Sequence, residues 1–184
     1  MSAINSFHFL APRPYRYITM ENLKPFLALC FFKHKEPEIT SNIPLSSGIL
    51  FYSAIALTIQ GYVGGIAGGI IVTFLEIILT LMFAGAVVIH RKIIEDYVPL
   101  CCAIFICTAF LGSLGIPFTL MIHMVKGKLA MFFIYSLVAL VLWNIWVTKQ
   151  IFQKVVMLRP VKGFALAAFY FVIAYLIPFV SVFI

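Results

Sequence analysis

Charge is scarce in this chain. Of its 184 residues only 10% are charged, six of them acidic, and it has two tryptophans and four cysteines. A soluble domain carries about 25% charged residues, so that class is excluded. Intrinsic disorder is excluded too, because it needs high polarity and few large apolar side chains. The cysteines are too few for a disulfide scaffold, and Cys30, Cys101, Cys102 and Cys107 form no C-x-x-C pair and lack a nearby histidine at ligand spacing. They read as reduced packing residues. Also missing are a nucleophile–base pair, a phosphate loop, a zinc motif and a dinucleotide fingerprint. Polar stretches between the apolar runs are too short to house a catalytic domain. No enzyme activity, metal centre or cofactor is expected.

Apolar side chains are abundant, at 64% of positions with a mean hydropathy of +1.12. A bilayer core of about 30 Å takes about 20 residues of helix. Residues 47–88 hold one charged side chain, Glu76, in 42 positions. As a single helix they would reach about 63 Å, twice what a membrane covers. The run must fold back, and Gly61-Tyr-Val-Gly-Gly65 is where the backbone can turn. Spans are thus expected near 44–60, 66–90, 98–125, 129–148 and 164–184. The third holds Gly112-Ser-Leu-Gly115-Ile-Pro117, and Pro117 should kink it; a broken or re-entrant course is the alternative. Pro178 should bend the last. The expected fold class is all-α: a polytopic integral membrane helical bundle of about five transmembrane helices over 44–184.

An N-terminal arm, residues 1–43, precedes the bundle. Its first 22 residues lack a continuous apolar core and a cleavage site, so no signal peptide is expected. Asn22 can cap a helix with Pro25 in its first turn. The apolar residues 26–32 reach about 10 Å as a helix, too short to cross. A short interfacial amphipathic helix on the inner leaflet, flanked by Lys24 and Lys33, fits that length.

Basic residues set the orientation. Eleven of the thirteen lie on one side of a five-span topology: Arg13, Arg16, Lys24, Lys33, Lys35, Arg91, Lys92, Lys149, Lys154, Arg159 and Lys162. Lys126 and Lys128 lie on the other. The positive-inside rule then places the N-terminus in the cytoplasm and the C-terminus outside, in a cytoplasmic (inner) membrane or an endomembrane. The basic pI of about 9.4 follows from these flanking charges. Without a basic stripe interleaved with aromatics, nucleic acid is not an expected partner; anionic lipid headgroups are.

Glu76 is the most informative residue. An ionised carboxylate at mid-membrane costs at least a few kcal/mol, so it must face protein and be protonated or paired. Gly69, Thr73, Glu76 and Thr80 recur at helical spacing and form one small-and-polar stripe. The acid can relay protons or bind a cation, or simply hydrogen-bond a neighbouring helix. Asn144 can bond across helices, while Trp143 and Trp146 suit an interfacial belt. Gly65 and Gly69 can line a packed helix face. His90 and His123 sit at opposite boundaries, which excludes a shared haem.

Three short segments, Leu27-Ala-Leu-Cys-Phe-Phe32, Ile43-Pro-Leu-Ser-Ser47 and Gly115-Ile-Pro117, together with the five-span layout, resemble a Yip-domain membrane protein over most of residues 23–184. The resemblance implies a five-helix bundle acting in membrane organisation or assembly through helix contacts, without a catalytic site. It carries no functional residue onto this chain. The first functional expectation is therefore a non-enzymatic scaffold, accessory or assembly subunit that binds other membrane proteins, or its own copies, through its helices. The alternative is a small proton- or cation-coupled transporter or channel subunit using Glu76. A coupled site of that kind normally shows several polar intramembrane groups converging, or internal repeats with interrupted helices, whereas the sequence shows one acid, one kink and no clear repeat.

Overall fold

A computed structural model describes residues 26–31, 44–178 and 180. The expected helix start at Asn22, the rest of the arm and the last residues of the expected fifth span lie outside the described residues. Helices account for the bundle: α1 (Leu45–Val63), α2 (Gly65–Arg91), α3 (Tyr97–Met124), α4 (Lys128–Val155) and α5 (Pro160–Phe171). A wide π turn, Val172–Leu176, extends α5. No strand occurs among the described residues. Helices α1 to α4 are long and apolar enough to cross a membrane, whereas α5 with its π turn is a shorter apolar helix, Pro160–Leu176.

The fold-back occurs at the far edge of the glycine cluster. Gly61, Tyr62 and Val63 stay helical, and Gly65 takes φ 75° and ψ 168°. L side chains rarely adopt that backbone, and glycine does so without a steric penalty. Gly69 has a different task. A Cβ on it would stand 3.1 Å from the Gly61 nitrogen and 3.2 Å from the Gln60 carbonyl carbon. Helices α1 and α2 therefore meet backbone to backbone, as small residues permit. Gly65 has open space around it, so it serves the turn, and Gly69 serves the packing.

Helix α3 forms the centre. Residues 101–109 are buried without interruption, as expected for a helix apolar on every side. The α1–α2 hairpin packs on it, and so does α4; α4 then packs on α5, whose π turn returns to α2. The outward faces are apolar, with Leu50, Ile66, Phe74 and Leu142 each more than 60% exposed. Large contiguous apolar surface of this kind fits lipid and not water.

Pro117 does not break the third span. Helix α3 runs continuously through it, with Pro117 on an exposed face. The described arm segment packs on the bundle. Residues 26–30 are helical, and Phe26, Leu29 and Cys30 are buried. The Trp143 indole N–H donates to the Cys30 carbonyl at 3.1 Å, and the Cys107 thiol donates to the Phe26 carbonyl at 3.6 Å. Phe31 meets Phe110 and Trp143 edge-on, at 5.8 and 6.3 Å between centroids. Trp143 thus works as an anchor for the arm, a role beyond that of a belt residue.

Candidate functional site

All four members of the α2 stripe, Gly69, Thr73, Glu76 and Thr80, are buried. Their environments separate them. The Thr73 hydroxyl has no hydrogen-bond partner among the described residues. Thr80 shares a hydrogen bond of 3.1 Å with the Tyr170 hydroxyl of α5. Glu76, only 3% exposed, is held from α1. The Tyr52 hydroxyl donates to its Oε2 at 2.6 Å, and the Gln60 amide donates to its Oε1 at 3.3 Å. The first distance falls in the range of hydroxyl-to-carboxylate bonds. Both oxygens accept, which is the arrangement a carboxylate requires.

The hairpin makes this pairing possible. Tyr52 and Glu76 are 24 positions apart and would be about 36 Å apart on one straight helix. Folding at Gly65 brings Tyr52, thirteen residues before the turn, level with Glu76, eleven after it. The Tyr52 ring is fixed in turn against Phe105 of α3, at 5.3 Å between centroids.

Beside the carboxylate lies a cavity of about 490 Å³. Helix α3 forms its back through Thr108, Gly112, Gly115, Thr119 and His123, while α1 and α4 face each other across it. Glu76, Tyr52, Gln60, Thr108, Asn144 and Tyr175 gather at one part of the lining, and the remainder is mostly aliphatic. Asn144 accepts a long hydrogen bond, 3.4 Å, from the Thr108 hydroxyl. The cavity extends toward the end of the bundle marked by Val63, Ile122 and His123, where α1 and α3 end. The His123 ring Nδ1 is 2.9 Å from the Thr119 carbonyl oxygen. Pro117 does not line the cavity.

A row of hydroxyls runs the other way. The Tyr175 hydroxyl is 3.4 Å from that of Tyr170, which reaches Thr80. Thr80 lies one turn beyond Glu76, about 6 Å further along α2. The π turn accounts for the alignment of the two tyrosines. Five α-helical residues advance about 500°, leaving positions i and i+5 about 140° apart; a wider turn returns them to one face. Pro178 supplies a cause, because it lacks an N–H and crowds the carbonyl four residues back.

Among the described residues no group of three His, Cys, Asp or Glu side chains gathers as metal ligands would. No protein-family model, curated protein or solved structure matches the chain.

Of the residues singled out from the sequence, the structure brings Glu76 and Asn144 to one cavity, sets Thr80 on the hydroxyl row, and leaves Thr73 outside both. Tyr52, Gln60, Thr108, Tyr170 and Tyr175 were not singled out. A signal existed for the first: reflecting Glu76 through the Gly64–Gly65 fold lands within a turn of Tyr52. For the tyrosines of α5 there was none, because five-residue spacing matches no α-helical face.

Proposed function

We propose that this protein is a non-enzymatic, five-span integral membrane protein that couples a proton to a cation at Glu76, as a small transporter or a subunit of one. Its N-terminus is cytoplasmic, its C-terminus is outside, and α5 is the fifth span. The observation that carries this reading is the placement of Glu76. One buried carboxylate stands between a cavity that extends toward the end of the bundle where α1 and α3 finish and a row of hydroxyls, Tyr175, Tyr170 and Thr80, that runs toward the opposite end. An intramembrane acid in that position marks an ion or proton path. A purely structural carboxylate does not need the cavity. The convergence of polar groups on Glu76 favours this reading over the scaffold expected from loops and motifs.

The test is reconstitution into vesicles that trap a pH-sensitive dye. Imposing a gradient of a transported cation should drive Glu76-dependent proton movement, abolished in Glu76→Gln while the variant remains folded. Equal dye responses from wild type and Glu76→Gln across inorganic and organic cations would remove the coupling role.

The accessory-subunit reading, with its Yip-domain resemblance, keeps one supporting observation. The outer faces of α1 and α4 are little buried. Lipid covers such faces as well as a partner does, so this reading rests on recovering the same membrane protein in repeated mild-detergent purifications.

A further inference from the structure

Resting on the coupling role of Glu76, we infer that the cavity takes an organic monocation with an apolar body, its charged group lodged at Glu76. The size of the cavity suits an organic occupant. The space is about 490 Å³. It falls within the range of about 300–1,000 Å³ typical of organic-ligand pockets. The lining polar atoms point the same way. The Tyr52 and Gln60 donors are committed to Glu76, and the Thr108 hydroxyl to Asn144. The polar groups that are left lie among aliphatic side chains, a lining that suits an apolar body better than a fully hydrated ion.

Charge sign follows from the inventory. Glu76 is the one carboxylate on the lining, and neither lysine nor arginine accompanies it. An anion would be repelled, and a neutral apolar molecule would leave the carboxylate uncompensated. Two donors occupy a group with about four acceptor sites, so capacity remains for an ammonium. The aromatic rings of Tyr52, Phe171 and Tyr175 line the same cavity, with Phe171 stacked on Tyr175 at 5.0 Å between centroids; aromatic neighbours of this kind attract cations. Ile55, Ile59, Leu137, Leu140 and Val141 then receive the apolar body. With α1 and α4 facing each other across the cavity, a molecule already dissolved in lipid has a route between them.

Proton and cation compete for the same carboxylate. The titratable groups facing it are Tyr52 from α1 and Tyr170 and Tyr175 from α5; α3 adds His123 further along the cavity, and α4 contributes Asn144, which does not titrate. Of these, Glu76 alone loses a negative charge on acidification. Cation binding should therefore weaken as pH falls, by on the order of tenfold per pH unit once the acid holds its proton.

The experiment uses full-length protein in lipid nanodiscs, with octyltrimethylammonium as the probe and octanesulfonate and octanol as same-chain controls. Calorimetry against empty discs should show octyltrimethylammonium binding at least tenfold tighter to wild type than to Glu76→Gln, with release of a proton. The two controls should not distinguish the proteins. Leu140→Trp, which fills the cavity and leaves the carboxylate intact, should weaken the cation to a similar degree while eluting as a single folded species. Octanesulfonate binding as tightly as the cation, or cation affinity unmoved in both variants, would overturn the assignment. Glu76-dependent proton release evoked by Na⁺ or K⁺, but not by octyltrimethylammonium, would remove the organic-cation class and leave the coupling role standing. Glu76-dependent binding of octyltrimethylammonium without proton release at any pH would do the reverse.

Discussion

At the scale of the residue, the weight of this protein rests on how one carboxylate is satisfied inside a membrane. The sequence places Glu76 at mid-span and requires a protein-facing environment; it does not name the partners. The structure names them as Tyr52 and Gln60. Interhelical hydrogen bonds in membranes average about 0.6 kcal/mol, whereas bonds to charged groups reach about 1.5–3 kcal/mol. The short Tyr52–Glu76 bond should lie above the membrane average and the long Thr108–Asn144 bond at or below it. Double-mutant cycles of Tyr52→Phe with Glu76→Gln, read by unfolding in mixed micelles, should give a coupling of at least ~1 kcal/mol. Thr108→Val with Asn144→Leu should give no more than ~0.6 kcal/mol. Equal couplings would mean that the carboxylate is not held preferentially by the phenol. Asn144 was legible in sequence because a polar side chain inside an apolar run stands out. Tyr52 was not, because tyrosine belongs equally to cores and interfaces.

Single elements carry the next layer, and the glycines show how similar residues serve different ends. Gly61→Ala should be neutral or slightly stabilising, since a Cβ there meets nothing within 4 Å and the helix gains propensity. Gly69→Ala should cost about 1–3 kcal/mol, because its Cβ would press on backbone atoms of α1 that cannot rotate away. Gly65→Ala should cost about 1–3 kcal/mol, because φ 75° with ψ 168° is a backbone region kept almost entirely to glycine. Thermal melts of the three variants in one detergent check the order; a destabilised Gly61→Ala with an unaffected Gly69→Ala would contradict the backbone contact. The four-residue glycine repeat announced this region, but not which glycine would turn and which would pack. That division depends on where α1 stops. Similarly, proline at 178 forecast a bend, and the chain answers with a π turn that aligns Tyr170 and Tyr175. Pro178→Ala should restore ordinary α-helical spacing and part the two hydroxyls. We expect folded protein with Glu76-dependent proton movement reduced several-fold in the vesicle assay; unchanged movement would show that the hydroxyl row is not a path.

On the scale of the whole molecule, topology and site must agree. The cavity reaches toward the end of the bundle where α1 and α3 finish, near Lys126 and Lys128, and the hydroxyl row points toward the end bearing Arg91, Arg159 and Lys162. Tags at the two termini should be accessible from opposite faces of the membrane, the amino end from the cytoplasm. Both termini reached from one face would cancel the five-span layout, and an amino end reached from outside would reverse the meaning of the two paths. By itself the sequence determined that the chain is helical, with apolar runs long enough to cross a membrane, that residues 47–88 must fold back, and that Glu76 must face protein. Each of these follows from lengths and transfer costs that local composition fixes. Tertiary structure alone decided that α1 and α4 stand apart across α3, that Tyr52 reaches Glu76, and that α5 turns two tyrosines toward the same acid. Those depend on which faces meet, and an apolar helix in lipid has no hydrophobic stripe from which that choice can be read.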